Sequence, residues 1–326
     1  MGMNGTVFLY AGQGAQKTGM GKSFYENSEI FRECIDRAAG RLPFDLKQMM
    51  FQNPDGLLGE TAYTQPCLAA FAAGVTEMLT AAGIRADAAA GLSLGEYSAL
   101  YAAGIFSLSE LMEVTAFRGK AMEEADQAIG REVRMTAVLG TASEIVEKAV
   151  SDAAERTGEP VWISNYNSTA QTVIAGTVPG TEKAKALLQN AGAGRFADLA
   201  VSSAFHTPFM APASEKLRVY FDTRCNPDDR RESMRMPVIF NAVGREMRPE
   251  ESIRNLLVRQ VREPVQMAQT LRYLAGKGIT RAIAVGPGHV FRSFLRQTAP
   301  QISCICIEEY ADFERLTGQI GEKSGG

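Results

Sequence analysis

Three times along the chain a short apolar run stops at a glycine-bearing turn ahead of a helical pattern. Residues 6–10 run into Gly12-Gln13-Gly14, with helical spacing next at 28–41. Residues 86–91 pass through Gly91-Leu92-Ser93-Leu94-Gly95 into a helical stretch at 94–103. Residues 279–285 stop at Gly286-Pro287-Gly288, and a helix is read from 290 to 297. Buried strand, tight turn, helix is the rhythm of a mainly parallel α/β sheet. Sheets of that kind gather their ligands at the carboxyl ends of the strands.

A chain of 326 residues has room for about two domains of ordinary size, or for one large domain with an insert. The spacing between residues 127 and 198 supports the insert. A strand is expected at 135–139, a helix at 143–156, paired strands at 161–166 and 171–175, a helix at 181–191 and a last strand at 195–201. That order, βαββαβ, is ferredoxin-like. The expected architecture is therefore a large α/β-hydrolase-like domain, residues 1–126 plus 199–326, interrupted by a ferredoxin-like subdomain at 127–198. Ser109 is read as the cap of a helix over 109–124, and Pro264 as the first turn of a helix over 264–275. The glycine-rich end, 321–326, is expected to fray.

Composition narrows the function. With 34 basic and 37 acidic residues the net charge is −3, and no basic run long enough to track a phosphate backbone occurs, so nucleic acid is not expected as a partner. Nearly uncharged stretches such as 67–75 fall well short of the ~20 residues that cross a bilayer. Residues 1–5 carry no basic cluster and 7–10 are too short for a leader's core, so a cytoplasmic protein is expected. The five cysteines are scattered, without a C-x-x-C pair, and read as reduced thiols; no metal site and no cofactor is implied.

Gly91-Leu-Ser93-Leu-Gly95 is a G-x-S-x-G between a strand and a helix. There a serine sits on a sharp turn with its hydroxyl above the sheet, and the following N–H can face an oxyanion. Such a serine needs a base, and the chain has two histidines. His206 stands where the insert rejoins the large domain, a common place for a cleft. His289 opens a helix, whose dipole disfavours the protonated ring. His206 is preferred.

Several further motifs follow in order: Phe8-Leu-Tyr-Ala-Gly-Gln13-Gly-Ala-Gln16, Gly91-Leu-Ser-Leu-Gly-Glu-Tyr-Ser-Ala-Leu100, Arg118-Gly-Lys-Ala-Met122, Asn165-Tyr-Asn167 with Val173-Ile-Ala-Gly176, Ala204-Phe-His206, Arg259-Gln260-Val-Arg-Glu-Pro-Val265 and Gly286-Pro-Gly288. Together they closely resemble the malonyl-CoA:acyl carrier protein transacylases of bacterial fatty-acid synthesis, from about Thr6 to Ile307. The resemblance implies Ser93 as nucleophile, His206 as general base and Gln260 as the residue whose carbonyl orients that base. It implies Arg118 as the partner of the malonyl carboxylate, for which a planar two-pronged donor is suited. The backbone N–H groups of Gln13 and Leu94 would form the oxyanion hole. Phe205, beside the base, would set selectivity against substituted malonyl groups. Many members carry His where this chain has Leu92, and Lys or a similar residue where it has His289. No acidic third member is apparent near either motif.

Malonyl-CoA, CoA and a phosphopantetheinylated acyl carrier protein are then the implied partners, with a monomer expected. Three other outcomes compete. The same Ser–His pair could serve an acyl hydrolase or a discrete polyketide-synthase acyltransferase, and the fold could survive as a non-catalytic carrier-docking module.

Overall fold

The computed structural model describes residues 5–199 and 203–324. Its strands in chain order are β1 (Gly5–Tyr10), β2 (Ala88–Gly91), β3 (Val133–Leu139), β4 (Val161–Ser168), β5 (Gln171–Thr177), β6 (Arg195–Asp198), β7 (Val238–Phe240), β8 (Arg245–Glu246), β9 (Ile279–Val285) and β10 (Ser303–Ile307). They form a six-stranded sheet, β10-β9-β1-β2-β7-β8, and a four-stranded sheet, β4-β5-β3-β6. The larger sheet is parallel except for its β7–β8 edge. The smaller is antiparallel throughout.

Alternation along β1 explains the layers of the large sheet. Phe8 and Tyr10 face a core with Phe24, Phe31 and Phe71, while Val7 and Leu9 face a second core with Leu271, Phe291 and Phe294. A strand covered on both faces needs side chains that are apolar on both, and every residue of β1 is buried. The alanine-rich helix Thr61–Ala81 lies in the first core. Its Gly74 admits the Phe31 ring to within 2.5 Å of where a Cβ would stand.

The small sheet is two-faced in the same way. Val138, Ile163 and Ile174 pack under the helices Ser143–Thr157 and Val178–Asn190. Met135, Ala137 and Val173 point the other way, into the core of the large sheet. β4 is also stitched directly to the large unit. Tyr166 N–H donates to the Val265 carbonyl at 2.8 Å, and Val265 N–H to the Ser164 carbonyl at 2.9 Å.

That stitch corrects one expectation. Pro264 does not open a helix: Val265 spends its backbone on β4, and the helix begins at Met267. Ser109 is not a cap either. The helix Leu108–Gln127 is capped by Ser107 in a reciprocal box with Glu110. The end expected to fray continues as the helix Tyr310–Ser324, with Gly325 and Gly326 outside the described residues. Residues 200 and 201 of the expected last insert strand also lie outside them. Among the described residues no helix is long and apolar enough to cross a membrane.

Candidate active site

Ser93 stands two residues past the end of β2 and holds φ at 53°, in the left-handed region that costs a non-glycine residue energy. The flanking glycines are steric requirements. A Cβ on Gly91 would stand 1.9 Å from the Gly95 carbonyl carbon, and one on Gly95 would stand 2.1 Å from the Tyr10 carbonyl oxygen. The G-x-S-x-G string is therefore what lets the chain turn from β2 into the helix Gly95–Ala102 while packing against β1.

His206 reaches this turn from the far side of the cleft, itself at φ 59°. Its Nε2 lies 2.8 Å from Ser93 Oγ, and its Nδ1 lies 2.7 Å from the Gln260 carbonyl oxygen. A carbonyl can only accept, so Nδ1 carries the proton and Nε2 offers its lone pair to the serine hydroxyl. Burial, with the positive Arg118 nearby, pushes the His206 pKa down to about 4, against the opposing pull of the Gln260 carbonyl. The ring is neutral at physiological pH. His289 lies elsewhere, its side chain largely exposed and Nε2 3.8 Å from Glu308 Oε2.

Arg118 is fully buried on the helix Leu108–Gln127. Its Nη2 donates to Ser93 Oγ at 3.2 Å and to Gln260 Oε1 at 3.0 Å, and its guanidinium lies 5.3 Å from the Tyr97 ring centroid. Nε has no acceptor, and among the described residues no carboxylate pairs with this cation. Burial holds its pKa below the ordinary guanidinium value, while Tyr97 and Glu96 favour the charged form. A desolvated cation of this kind is costly unless an anion joins it. Gln260 ties the set together: its carbonyl takes the His206 proton donor, its Oε1 takes Arg118, and its Nε2 donates to the Ser93 carbonyl at 2.7 Å.

Gln13, Leu92, Ser93, Met122, Met135, Asn165, Asn167, Val173, Phe205 and His206 are among the residues around a cavity of about 110 Å³. Phe205 is buried against it. The Gln13 side chain donates to Thr61 Oγ1 at 3.0 Å, which fixes the loop after β1. Leu94 starts the helix Gly95–Ala102, so its N–H stands at a positive helix end beside Ser93.

Two residues in the site went unread in the sequence. Asn241, just past β7, accepts from Ser93 N–H at 2.7 Å and donates from Nδ2 to the Gly91 carbonyl at 2.7 Å. Glu96 is fully buried and accepts from Asn241 N–H at 2.5 Å through Oε2. Burial raises the Glu96 pKa to about 8, partly offset by Asn241, Arg118 and Gln260. An acidic residue thus does stand beside the serine motif. It contacts the turn and not His206, whose Nδ1 is served by a carbonyl.

The fold and this constellation define an α/β enzyme of acyl transfer. The chain matches the acyl transferase domain family over residues 7–315 and belongs to it, as the motif resemblance indicated. A malonyl CoA-acyl carrier protein transacylase from Bacillus subtilis (strain 168) is 34% identical over 322 residues, 99% of each chain. MCAT from Streptococcus pneumoniae superimposes with a TM-score of 0.88 at 38% identity, covering 96% of this chain and 99% of that one. A solved complex of a type II PKS acyl-carrier protein with its malonyl-transacylase gives a TM-score of 0.87 at 28% identity, covering 97% and 99%.

Proposed function

We propose that the chain moves a malonyl group from malonyl-CoA to the phosphopantetheine thiol of an acyl carrier protein, in fatty-acid synthesis, through a malonyl-serine intermediate. His206 Nε2 takes the Ser93 proton as Oγ attacks the thioester carbonyl, and the imidazolium is held by the Gln260 carbonyl 2.7 Å from Nδ1. The oxyanion that forms is met by the N–H groups of Leu94 and Gln13. The thioester C–S bond breaks, and the CoA sulfur leaves with the proton from His206. The carrier thiol then gives its proton to His206 and attacks the malonyl ester. Ser93 Oγ departs, recovers that proton, and the enzyme is restored.

The observation that carries this reading is Arg118, a buried cation with no carboxylate partner among the described residues, bonded to Ser93 Oγ itself. An acyl group bearing a second carboxylate would pair with it and bring its thioester carbon to the serine. A hydrolase for neutral acyl chains has no use for such a charge. The two-part division at 127 and 198, a cytoplasmic location and a monomeric state belong to the same proposal. So does the role of Phe205 in crowding out a substituent on the malonyl α-carbon.

One experiment tests these roles: incubation with malonyl-, methylmalonyl- and acetyl-CoA, reading the mass added to the intact protein. The native chain should take up malonyl, and Ser93→Ala should take up nothing. Arg118→Ala should lose malonyl uptake by about ten- to a hundred-and-sixty-fold, since a charge-assisted contact is worth about 1.5–3 kcal/mol, with acetyl little changed. Phe205→Ser should shift competition toward methylmalonyl by up to a few hundred-fold, about 1–3 kcal/mol for one excluded methyl. Malonyl retained by Ser93→Ala, or equal losses of malonyl and acetyl in Arg118→Ala, would overturn the assignment.

A further inference from the structure

The parallel pairing of β2 with β7 runs out one residue too early for the nucleophile turn. Ala89 pairs with Val238 and Ala90 with Ile239, and the ladder stops there. Gly91 and Ser93 are left to carry a strained turn without strand neighbours on that side. The side chain of Asn241 takes over. Its Oδ1 accepts the Ser93 N–H and its Nδ2 donates to the Gly91 carbonyl, each at 2.7 Å, so one planar amide grips both ends of the turn.

A grip of this kind is only as firm as its own anchorage. The Asn241 carbonyl accepts from Gln266 N–H at 2.9 Å, and its N–H donates to Glu96 Oε2 at 2.5 Å. Glu96 lies in the first turn of the helix that leaves Ser93. The links close into a ring: Asn241 side chain to Ser93, Ser93 through one helical turn to Glu96, Glu96 back to the Asn241 backbone. Asn241 and Glu96 are both fully buried, so water cannot replace the link between them. We infer that Asn241 is a positioning residue that fixes the Ser93 turn in its attacking form, and that Glu96 is the positioning residue that fixes Asn241.

The ring also selects which amide can serve the oxyanion. Ser93 N–H is spent on Asn241, so the donor on this side of the carbonyl is the next amide, that of Leu94.

This inference rests on Ser93 being the nucleophile. Its test reads rates with Ser93 in place, so that its failure is separate from failure of that assignment. Single-turnover acylation is followed over a range of malonyl-CoA concentrations, with rates expressed per folded molecule from near-UV circular dichroism. Asn241→Ala should lower the limiting rate by about a hundredfold, the scale of a small misplacement at a reacting atom, with half-saturation little changed. Glu96→Gln keeps an acceptor oxygen for the Asn241 N–H and should retain most of the rate that Glu96→Ala loses. If Asn241→Ala does not fold, the two Glu96 variants decide on the same criterion. A purely structural role would reduce the amount of folded enzyme and leave the rate per folded molecule intact. That result, or Glu96→Gln no better than Glu96→Ala, overturns the inference.

Discussion

His206 must accept a proton at neutral pH from a place where water cannot help to solvate the resulting charge. Burial favours the neutral ring, and the positive Arg118 favours it further, which together put the pKa near 4. The base is therefore free over a wide range. The acid limb of kcat/KM for malonyl-CoA is expected well below the ordinary histidine value of 6.5. Stability follows the same sign. Between 6.5 and 4 the unfolded chain binds a proton that the folded site refuses, so this residue lowers stability as pH falls through that window and does nothing above it. A rate profile with its acid limb at 6.5 or higher would show that the ring is not desolvated in the working enzyme. Ser93, His206 and Arg118 could be found because short motifs surround them. Asn241 could not, since its partner Ser93 lies 148 residues away and Phe240-Asn241-Ala242 spells no motif. Glu96 had one available signal: a charged residue in a helix otherwise made of small and apolar side chains, which buried it.

At the scale of elements, the helix Leu108–Gln127 shows where a local reading succeeds and where it slips. Its helix-forming composition predicts its existence, but the local spacing places its start at Ser109. The true cap, Ser107, accepts from Glu110 N–H at 3.3 Å, and its own N–H donates to Glu110 Oε2 at 2.8 Å. Glu110 also pairs with Arg230, so the box has a tertiary reason to settle on Ser107 that no spacing rule contains. Ser107→Ala should cost about 1 kcal/mol of stability, read by urea unfolding. Arg118 sits three turns on and is held by Gln260, so the malonyl-to-acetyl preference should not change in that variant. A changed preference would mean that the cap sets the helix register at Arg118. Pro264 failed as a helix start for a related reason. The next residue's N–H and carbonyl both bond to β4, a long-range use of backbone that overrides proline's local preference. β10 went unread because Ser303–Ile307 is a short apolar run with no glycine turn to announce it.

At the scale of the molecule, the site exists only where two sheets meet. Ser93 comes from the carboxyl end of β2, whereas Met135 and Val173 line the cavity from the small sheet. The seam between them includes the pair of backbone bonds joining β4 to Val265, five residues beyond the Gln260 carbonyl that holds His206, and the bonds of Ser168 and Thr169 to Gln297 and Thr298. The backbone pair is buried with Val265 and Ser164, so separating the sheets would expose unpaired amides and loosen the base together. The small sheet is therefore expected to open only with the large one. In hydrogen exchange, the amides of Tyr166 and Val265 should be as slow as that of Ile174 in β5 and that of Phe8 in β1. Peptides covering β4 and residues 261–266 supply the measurement by mass spectrometry. Fast exchange at that seam, with β1 and β5 still protected, would mean that the small sheet swings as a body. Cavity width would then vary in solution, and a fixed ring at Phe205 could not by itself decide which acyl groups enter.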